Sequence, residues 1–330
     1  MLNPLVSIIM PVRNADPYLQ DCLDSIFTQS YSNFELVVIN DHSSDKSLEI
    51  LLENESRSNQ VKVLENEGEG IIEALNTGYE HISGEFVTRM DADDLMPPKK
   101  LELLLRALQN VGSNHVATGL VKYFKEGELG DGYQKYEVWL NGLTKRAANF
   151  QDRYKECVIP SPSWMTSKVD FDRIGGFKTS RYPEDYDLAF RMFQGNLKVV
   201  GVNELCHLWR DHDRRASRND SNYTNNNFLD LKLHYFLLLD YKPSNDLVLW
   251  GAGKKGKYLA QSLVERDIPF KWICDNPKKI GKHIYGKLIQ EIPTKEQISL
   301  TSQFIIVVAN SDSQKSINQT LLKFESYFFV

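Results

Sequence analysis

The N-terminal part of the sequence predicts an α/β fold, with a mostly parallel sheet flanked by helices. Short β-branched runs alternate there with stretches whose apolar residues recur at helical spacing. Strands separated by helices pair in parallel, and such sheets bind ligands beyond the carboxyl ends of their strands. Polar residues follow three of the predicted strands, at Arg13-Asn14, Asn40-Asp41 and Asp91-Ala92-Asp93. The sequence therefore predicts a ligand site at that edge of the sheet.

Strand and helix alternate throughout this region. The predicted strands are compact runs of β-branched and aromatic residues, at 5–11, 34–40, 61–64 and 86–90. The predicted helices have apolar positions three or four residues apart, at 18–26, 48–54 and 70–81. Repeated strand–helix pairs of this kind are typical of a sheet with helices on both faces.

Composition and charge narrow the class of protein. The chain has 330 residues, of which 42% are hydrophobic, which is enough for two domains. Its net charge of -5 offers no basic excess for a nucleic-acid partner. The four scattered cysteines indicate a reduced, cytoplasmic protein without a disulfide framework. No apolar run approaches the ~18 residues that span a membrane, so we expect at most peripheral association with the inner face of the cell membrane.

Three carboxylates, Asp91, Asp93 and Asp94, lie within four residues at the end of a predicted buried strand. Crowded carboxylates require a positive partner. Oxygen ligands suit Mg²⁺ or Mn²⁺, which commonly bind substrate phosphate as well. A spacing of two in an extended segment directs Asp91 and Asp93 to the same side, and Asp94 faces the other way. The cluster predicts a divalent cation with a nucleotide diphosphate; the alternative is a solvated turn that caps the helix near Pro98.

Six short motifs, in order and at compatible spacing, resemble those of family-2 glycosyltransferases with the GT-A fold. They are residues 6–14, 34–41, 43–45, 74–78, 84–85 and 91–94. The resemblance covers roughly residues 5 to 215 and implies inverting transfer of a sugar from a nucleotide diphosphate. It implies Mn²⁺ or Mg²⁺ as cofactor, and a hydroxyl of a surface glycan or lipid-linked precursor as acceptor. Asn40 and His42 depart from the commonest form of the second motif, so uridine is expected but the base stays open.

The resemblance also implies roles for individual residues at the donor site. The implied nucleotide-binding set is Pro11, Val12, Arg13, Asn14, Asp41 and Asp91. Asp41 would accept a hydrogen bond from the nucleobase, although a carboxylate at this place could equally cap the next helix. Asp93 is implied as a direct metal ligand, Asp91 as a ribose or water-mediated metal contact, and His212 as a third ligand. Arginines 210, 214, 215 and 218 would neutralise the diphosphate.

The acceptor side of the resemblance centres on Glu184-Asp185. Transfer to a hydroxyl requires a base opposite the leaving group. The resemblance implies Asp185 as that base, and Glu184 as a neighbour that binds acceptor or shapes the pocket. Acidic residues at a helix N-terminus are also favoured by the helix dipole alone, so a structural role stays open. Trp164 lies where the family builds its acceptor pocket, and could stack on a sugar or lie in the core.

A break at 242–245 predicts two domains, 1–241 and 242–330. The second begins with a predicted strand at 247–250, the glycines Gly251, Gly253 and Gly256, and a helix at 258–266; Asp275 follows the next strand, at 270–274. This spacing fits a second nucleotide site. The module resembles the small Rossmann-like domain of sugar-modifying acyltransferases, which leaves a structural or docking role equally open.

Two rival functions remain at this stage. One is an NAD-dependent sugar-nucleotide dehydrogenase or epimerase that uses the loop at 251–256. The shortness of the second module argues against it. The other is a non-catalytic protein that binds sugar nucleotides, against which the intact Asp93 and Asp185 argue.

Overall fold

The computed structural model describes residues 3–125, 130–213, 215 and 225–330. It divides into two compact units, one of residues 1–151 and 157–220 and the other of residues 152–156 and 221–330. The helix Asn225–Leu239 belongs to the second unit. The domain boundary between residues 241 and 242 stays a prediction. The predicted first domain, 1–241, includes this helix, whereas the compact units group the helix with the residues after 242. No helix among the described residues is long and apolar enough to cross a membrane.

The first unit is built on a seven-stranded, mostly parallel sheet, which confirms the predicted fold class. Its strands are β1 Val6–Val12, β2 Phe34–Asn40, β3 Val61–Glu65, β4 Phe86–Arg89, β5 His115–Phe124, β6 Trp164–Ser167 and β7 Lys198–Arg210. Their order is β3-β2-β1-β4-β6-β5-β7, and β6 runs antiparallel to both of its neighbours. The helices are α1 Asp16–Phe27, α2 Ser47–Arg57, α3 Ile71–Tyr79, α4 Lys100–Val111, α5 Asp131–Lys145, α6 Lys168–Arg173 and α7 Glu184–Gln194.

Strand β1 lies near the middle of this sheet and is almost wholly buried. Six of its seven residues are buried, because helices cover both faces of a parallel sheet. The helix α1 has a proline in its first turn and buries Leu19, Cys22, Leu23 and Ile26 at helical spacing. Strand β1 pairs with β2 and β4, with Val12 opposite Asn40 and Ile9 opposite Arg89. The carboxyl ends of these three strands therefore lie side by side.

The second unit has its own six-stranded sheet, in the order β10-β11-β9-β8-β12-β13. Its strands are β8 Leu247–Trp250, β9 Lys271–Ile273, β10 His283–Ile284, β11 Lys287–Gln290, β12 Gln303–Ile306 and β13 Glu325–Phe328. Its helices are α8 Asn225–Leu239, α9 Lys254–Glu265 and α10 Ser311–Thr320. All pairs are parallel except the hairpin β10–β11.

The glycine loop between β8 and α9 has a steric explanation. Gly251 has a φ of 122°, and a Cβ on Gly256 would lie 2.1 Å from the Gly251 carbonyl oxygen. The same carbonyl accepts a hydrogen bond from the indole of Trp272. The helix begins at Lys254, four residues before its predicted start, because it forms directly from the loop. Nucleotide binding by Gly251, Gly253, Gly256 and the exposed Asp275 stays a prediction.

Candidate active site

The loops after β1 and β2 form one wall of the candidate donor site. Asp41 donates its backbone N–H to the carbonyl of Val12, and its carboxylate lies 3.3 Å from the guanidinium of Arg13. The side chain of Asn14 accepts a hydrogen bond from the backbone N–H of Ser44. The residues of the predicted nucleotide loop, Pro11 to Asn14, are thereby connected to the second motif.

Asp41 is buried and is held by a third loop that the motifs do not reveal. Its Oδ1 accepts hydrogen bonds from Asn66 Nδ2 at 2.6 Å and from the backbone N–H of Gly70 at 3.0 Å. Helix α2 begins after Lys46 and has no side-chain cap. The geometry therefore gives no support to Asp41 as a cap. Asn66 was missed because it lies between motifs, 25 residues along the chain from its partner.

The acidic loop after β4 holds its three carboxylates in different surroundings. Asp91 and Asp93 are partly exposed, whereas Asp94 is buried. Asp93 Oδ2 lies 2.8 Å from Nε2 of His212. The carboxylate of Asp94 lies 2.9 Å from His207 and accepts the backbone N–H of Arg210, so it does not cap α4.

Strand β7 brings His212 to the acidic loop. Leu95 and Leu208 exchange both backbone hydrogen bonds, at 3.0 and 3.1 Å. Arg210 Nε donates to the carbonyl of Asp93, and the ring of His212 lies 4.5 Å from that of Tyr18. The segment with Arg210 and His212, which the resemblance assigns to the diphosphate, is thus hydrogen-bonded directly to the loop that carries Asp93.

The two partly exposed carboxylates of the loop, Asp91 and Asp93, differ in how their surroundings shift the pKa. Burial raises the pKa of Asp91, and Arg89 opposes this effect. Burial also acts on Asp93, but the hydrogen bond from His212 and the charge of Arg215 hold its pKa below the usual range. Asp93 is therefore ionised over the physiological pH range, as a metal ligand must be.

The donor set around Asp93 fits a divalent cation that is completed by substrate. Adjacent ligands in an octahedral site with bonds of ~2.1 Å stand ~3 Å apart, and Asp93 Oδ2 and His212 Nε2 are 2.8 Å apart. Nδ1 of His212 is buried and has no hydrogen-bond partner among the described residues. Across the described residues, no group of three or more His, Cys, Asp or Glu side chains could hold a metal by itself. Phosphate and water would have to supply the remaining ligands, as is common for Mg²⁺ and Mn²⁺.

Glu184 and Asp185 form the first turn of α7. Glu184 is buried, and its carboxylate lies 3.1 Å from Arg89 Nη1. Asp185 is partly buried, and its Oδ1 accepts the backbone N–H of Tyr186. Burial and the neighbouring charge of Glu184 raise the pKa of Asp185 to about 7, against the opposing charge of Arg89. A carboxylate with this pKa is suited to accept a proton near neutral pH.

Arg89 is a second residue of this site that the sequence reasoning missed. Its guanidinium donates to Asp91 through Nε and Nη2 and to Glu184 through Nη1. The sequence predicts that the crowded carboxylates need a positive partner. Arg89, two residues before Asp91, provides part of that positive charge. The available signal was an arginine at the end of a strand in which Thr88 is the only other polar residue.

The other predicted residues are Trp164 and the arginines at and beyond the end of β7. Trp164 is only 1% exposed and stacks on Phe171, so it presents no face to a sugar. Arg210 stacks over Tyr18 and Phe124, with centroid distances of 4.9 and 4.8 Å. Arg214 and Arg218 lie outside the described residues.

The fold and the donor-site loops together define a transferase of the GT-A class. The chain belongs to glycosyl transferase family 2, whose profile matches residues 7–175, just over half of the sequence. Apart from residues 152–156, this match lies in the first unit, where the acidic loop is found. It favours a transferase over the dehydrogenase that the glycine loop suggested.

Curated relatives agree with this assignment. Over 226 residues the chain is 36% identical to glycosyltransferase GlyA of Streptococcus pneumoniae, a match that covers 66% of this chain and 32% of GlyA. It is 25% identical over 216 residues to GlyG of the same organism, covering 63% of this chain and 71% of GlyG. The chain thus spans about a third of the length of GlyA.

Solved structures share the fold. A mannosyltransferase from Pyrobaculum calidifontis, in complex with GDP-Man and Mn²⁺, has a TM-score of 0.53 at 20% identity, over 73% of this chain and 66% of that one. TarS residues 1–349 of S. aureus, in complex with UDP-GlcNAc, has a TM-score of 0.53 at 19% identity, over 78% and 71% of the two chains.

Proposed function

We propose that this protein catalyses metal-dependent, inverting transfer of a sugar from a nucleoside diphosphate to a hydroxyl group. The observation that carries the proposal is the pair Asp93–His212, whose side chains are 2.8 Å apart. Asp93 lies on the same loop as Asp91, and His212 follows β7. Through Arg89 this loop is joined to Glu184, the neighbour of the candidate base Asp185.

The metal is proposed to bind Asp93 and His212, with Asp91 at the ribose or at a water-mediated contact. When bound, Mn²⁺ or Mg²⁺ would neutralise the charge that develops on the leaving diphosphate. The complex of the Pyrobaculum mannosyltransferase with GDP-Man and Mn²⁺ supports this choice of cofactor. The ionised state of Asp93 supports it independently.

UDP is the proposed nucleotide of the donor. Asp41 is fixed at the end of β2 by Asn66 and Gly70, which use its Oδ1. Its Oδ2 lies beside the half-exposed Arg13, and is the oxygen proposed to accept the imide N–H of uracil. The same carboxylate could accept two donors of guanine, so GDP is the competitor to include in any test.

Asp185 is the proposed base, and it would take the proton of the acceptor hydroxyl as the sugar is transferred. Its pKa of about 7 permits this role near neutral pH. Attack from the face opposite the leaving diphosphate would invert the anomeric carbon. The proposed acceptor is a surface glycan or its lipid-linked precursor, reached from the cytoplasmic side of the membrane.

Calorimetric titration of UDP and GDP, with Mn²⁺ and with excess chelator, tests this proposal. We expect one nucleotide to bind at least tenfold more tightly with Mn²⁺, because phosphate oxygens complete the metal's coordination. Asp93→Ala should abolish that difference, whereas the matched surface variant Asp24→Ala on α1 should retain it. Equal affinity with metal and with chelator in the wild type would contradict the proposal.

A further inference from the structure

Arg89 occupies an unexpected place for a charged residue. It is the last residue of β4, and only 4% of its side chain is exposed. Val87 and Met90 beside it are fully buried apolar residues. Burial of a guanidinium is costly unless carboxylates and hydrogen bonds compensate for it. Its partners, rather than strand propensity or core packing, must therefore explain an arginine at this position.

Those partners belong to two different motifs. Nε and Nη2 of Arg89 donate to Asp91 Oδ1 at 3.1 and 2.9 Å, and Nη1 donates to Glu184 Oε1 at 3.1 Å. Arg89 and Glu184 are 95 residues apart in the sequence. A planar guanidinium can hold two carboxylates in a fixed mutual orientation, which the point charge of a lysine cannot do.

We propose that Arg89 is a positioning residue for the glycosyl transfer proposed above, on which this inference rests. By binding Asp91 and Glu184 together, it fixes the donor loop relative to the first turn of α7. The side chain of Asp185 projects from that turn, next to Glu184. Arg89 thereby sets the separation between the donor and the group that accepts the acceptor's proton.

The local charges support this role. Asp91, Glu184 and Asp185 interact electrostatically with one another, and Arg89 opposes the effect of that repulsion on Asp91 and Asp185. Without the guanidinium, the carboxylates would repel one another in a buried setting. The donor loop and the first turn of α7 would then move apart, and misplacement of reacting groups by about 1 Å can cost ~10²-fold in rate.

The competing explanation is that Arg89 only stabilises the fold. Arg191 provides a matched control, because it is a largely buried arginine that pairs with Asp187 at 2.7 Å on the same helix. It also donates to the carbonyls of Ile174 and Gly176, which lie outside the donor loop. Replacement of either arginine removes a guanidinium from a buried carboxylate, Glu184 or Asp187. Only replacement of Arg89 would disturb the relation between Asp91 and α7.

The test compares Arg89→Met, Arg89→Lys and Arg191→Met with the wild type, each at a temperature where thermal unfolding shows it folded. For each protein, the binding of UDP with Mn²⁺ and the kcat and KM for diphosphate release from a UDP-sugar would be measured. GDP and a GDP-sugar would serve if the wild type prefers them. We expect Arg89→Met to lower kcat by on the order of 10²-fold beyond the effect of Arg191→Met, and to weaken nucleotide binding less than that.

Arg89→Lys keeps the charge and guards against a methionine variant that fails to fold. We expect it to recover most of the thermal stability while kcat stays low, because an ammonium cannot span both carboxylates. Full recovery of kcat in Arg89→Lys, or equal kcat in Arg89→Met and Arg191→Met, would overturn the inference alone. A wild type that neither binds a nucleoside diphosphate with Mn²⁺ nor releases one would overturn the proposed function as well.

Discussion

Oδ2 of Asp94 lies 2.9 Å from Nε2 of His207, and both side chains are buried in the first unit. The other oxygen of Asp94 accepts the backbone N–H of Arg210. The last carboxylate of the acidic loop is therefore fixed to β7, the strand that leads to His212. This contact holds the segment that carries Asp93 beside the end of β7, near His212.

Asp94→Ala is expected to lower the free energy of unfolding by about 1–3 kcal/mol, because it leaves a buried N–H of Arg210 and the ring nitrogen of His207 without a partner. Urea denaturation measures this difference. Asp93→Ala is the matched control, since Asp93 is partly exposed and its loss should change stability by only about 0.5 kcal/mol. If Asp94→Ala is as stable as Asp93→Ala, the buried contact has no stabilising role.

The replacement Asp185→Asn preserves size and hydrogen-bonding shape but cannot accept a proton. Nucleotide binding with Mn²⁺ should survive, while turnover falls by on the order of 10²-fold or more. Steady-state rates and calorimetry on the same preparation separate the two effects. Near-normal transfer by this variant would assign the base elsewhere. Glu184 and Asp187 would be the next candidates, and each already pairs with an arginine, Arg89 and Arg191 respectively.

Asp185 should also make stability depend on pH. Burial and Glu184 raise the pKa of Asp185 to about 7 in the folded state, whereas an unfolded aspartate titrates near ~3.9. Between those values the folded state binds more protons, so this residue lowers stability as pH rises from about 4 to about 7. Asp185→Asn should therefore gain stability relative to the wild type over that range. A stability difference that is independent of pH would show that the pKa of Asp185 is not raised.

The order of the first strands could be predicted from the sequence, but the contacts that hold the candidate site together could not. The order β1 to β4 and the polar clusters at the ends of three strands were predictable, because each motif is local and its period is clear. The contacts of Asp94 with His207 and of Arg89 with Glu184 were not, because they join residues 113 and 95 positions apart. Whether a residue is buried depends on tertiary packing. For Trp164 the sequence therefore left a core position and an exposed, sugar-stacking position equally open.

A chain that ends near Tyr241 should retain nucleoside diphosphate binding, because the candidate carboxylates all precede residue 215 and the glycine loop follows residue 250. Its solubility should fall, since α8 buries Leu229, Leu233 and Phe236 and belongs to the second compact unit. Calorimetry of the truncated chain, with light scattering to follow aggregation, checks both expectations. If a soluble truncation binds no UDP and the isolated piece 242–330 does, the donor site lies in the second unit.

The central claim is that Asp93 holds a metal on which sugar transfer depends. The most direct measurement is the release of nucleoside diphosphate from a panel of UDP- and GDP-sugars, with Mn²⁺ or with excess chelator. The account predicts turnover of at least one donor by the wild type with Mn²⁺, its loss with chelator, and its loss in Asp93→Ala but not in Asp24→Ala. Turnover that persists with chelator, or that persists in Asp93→Ala, would contradict it.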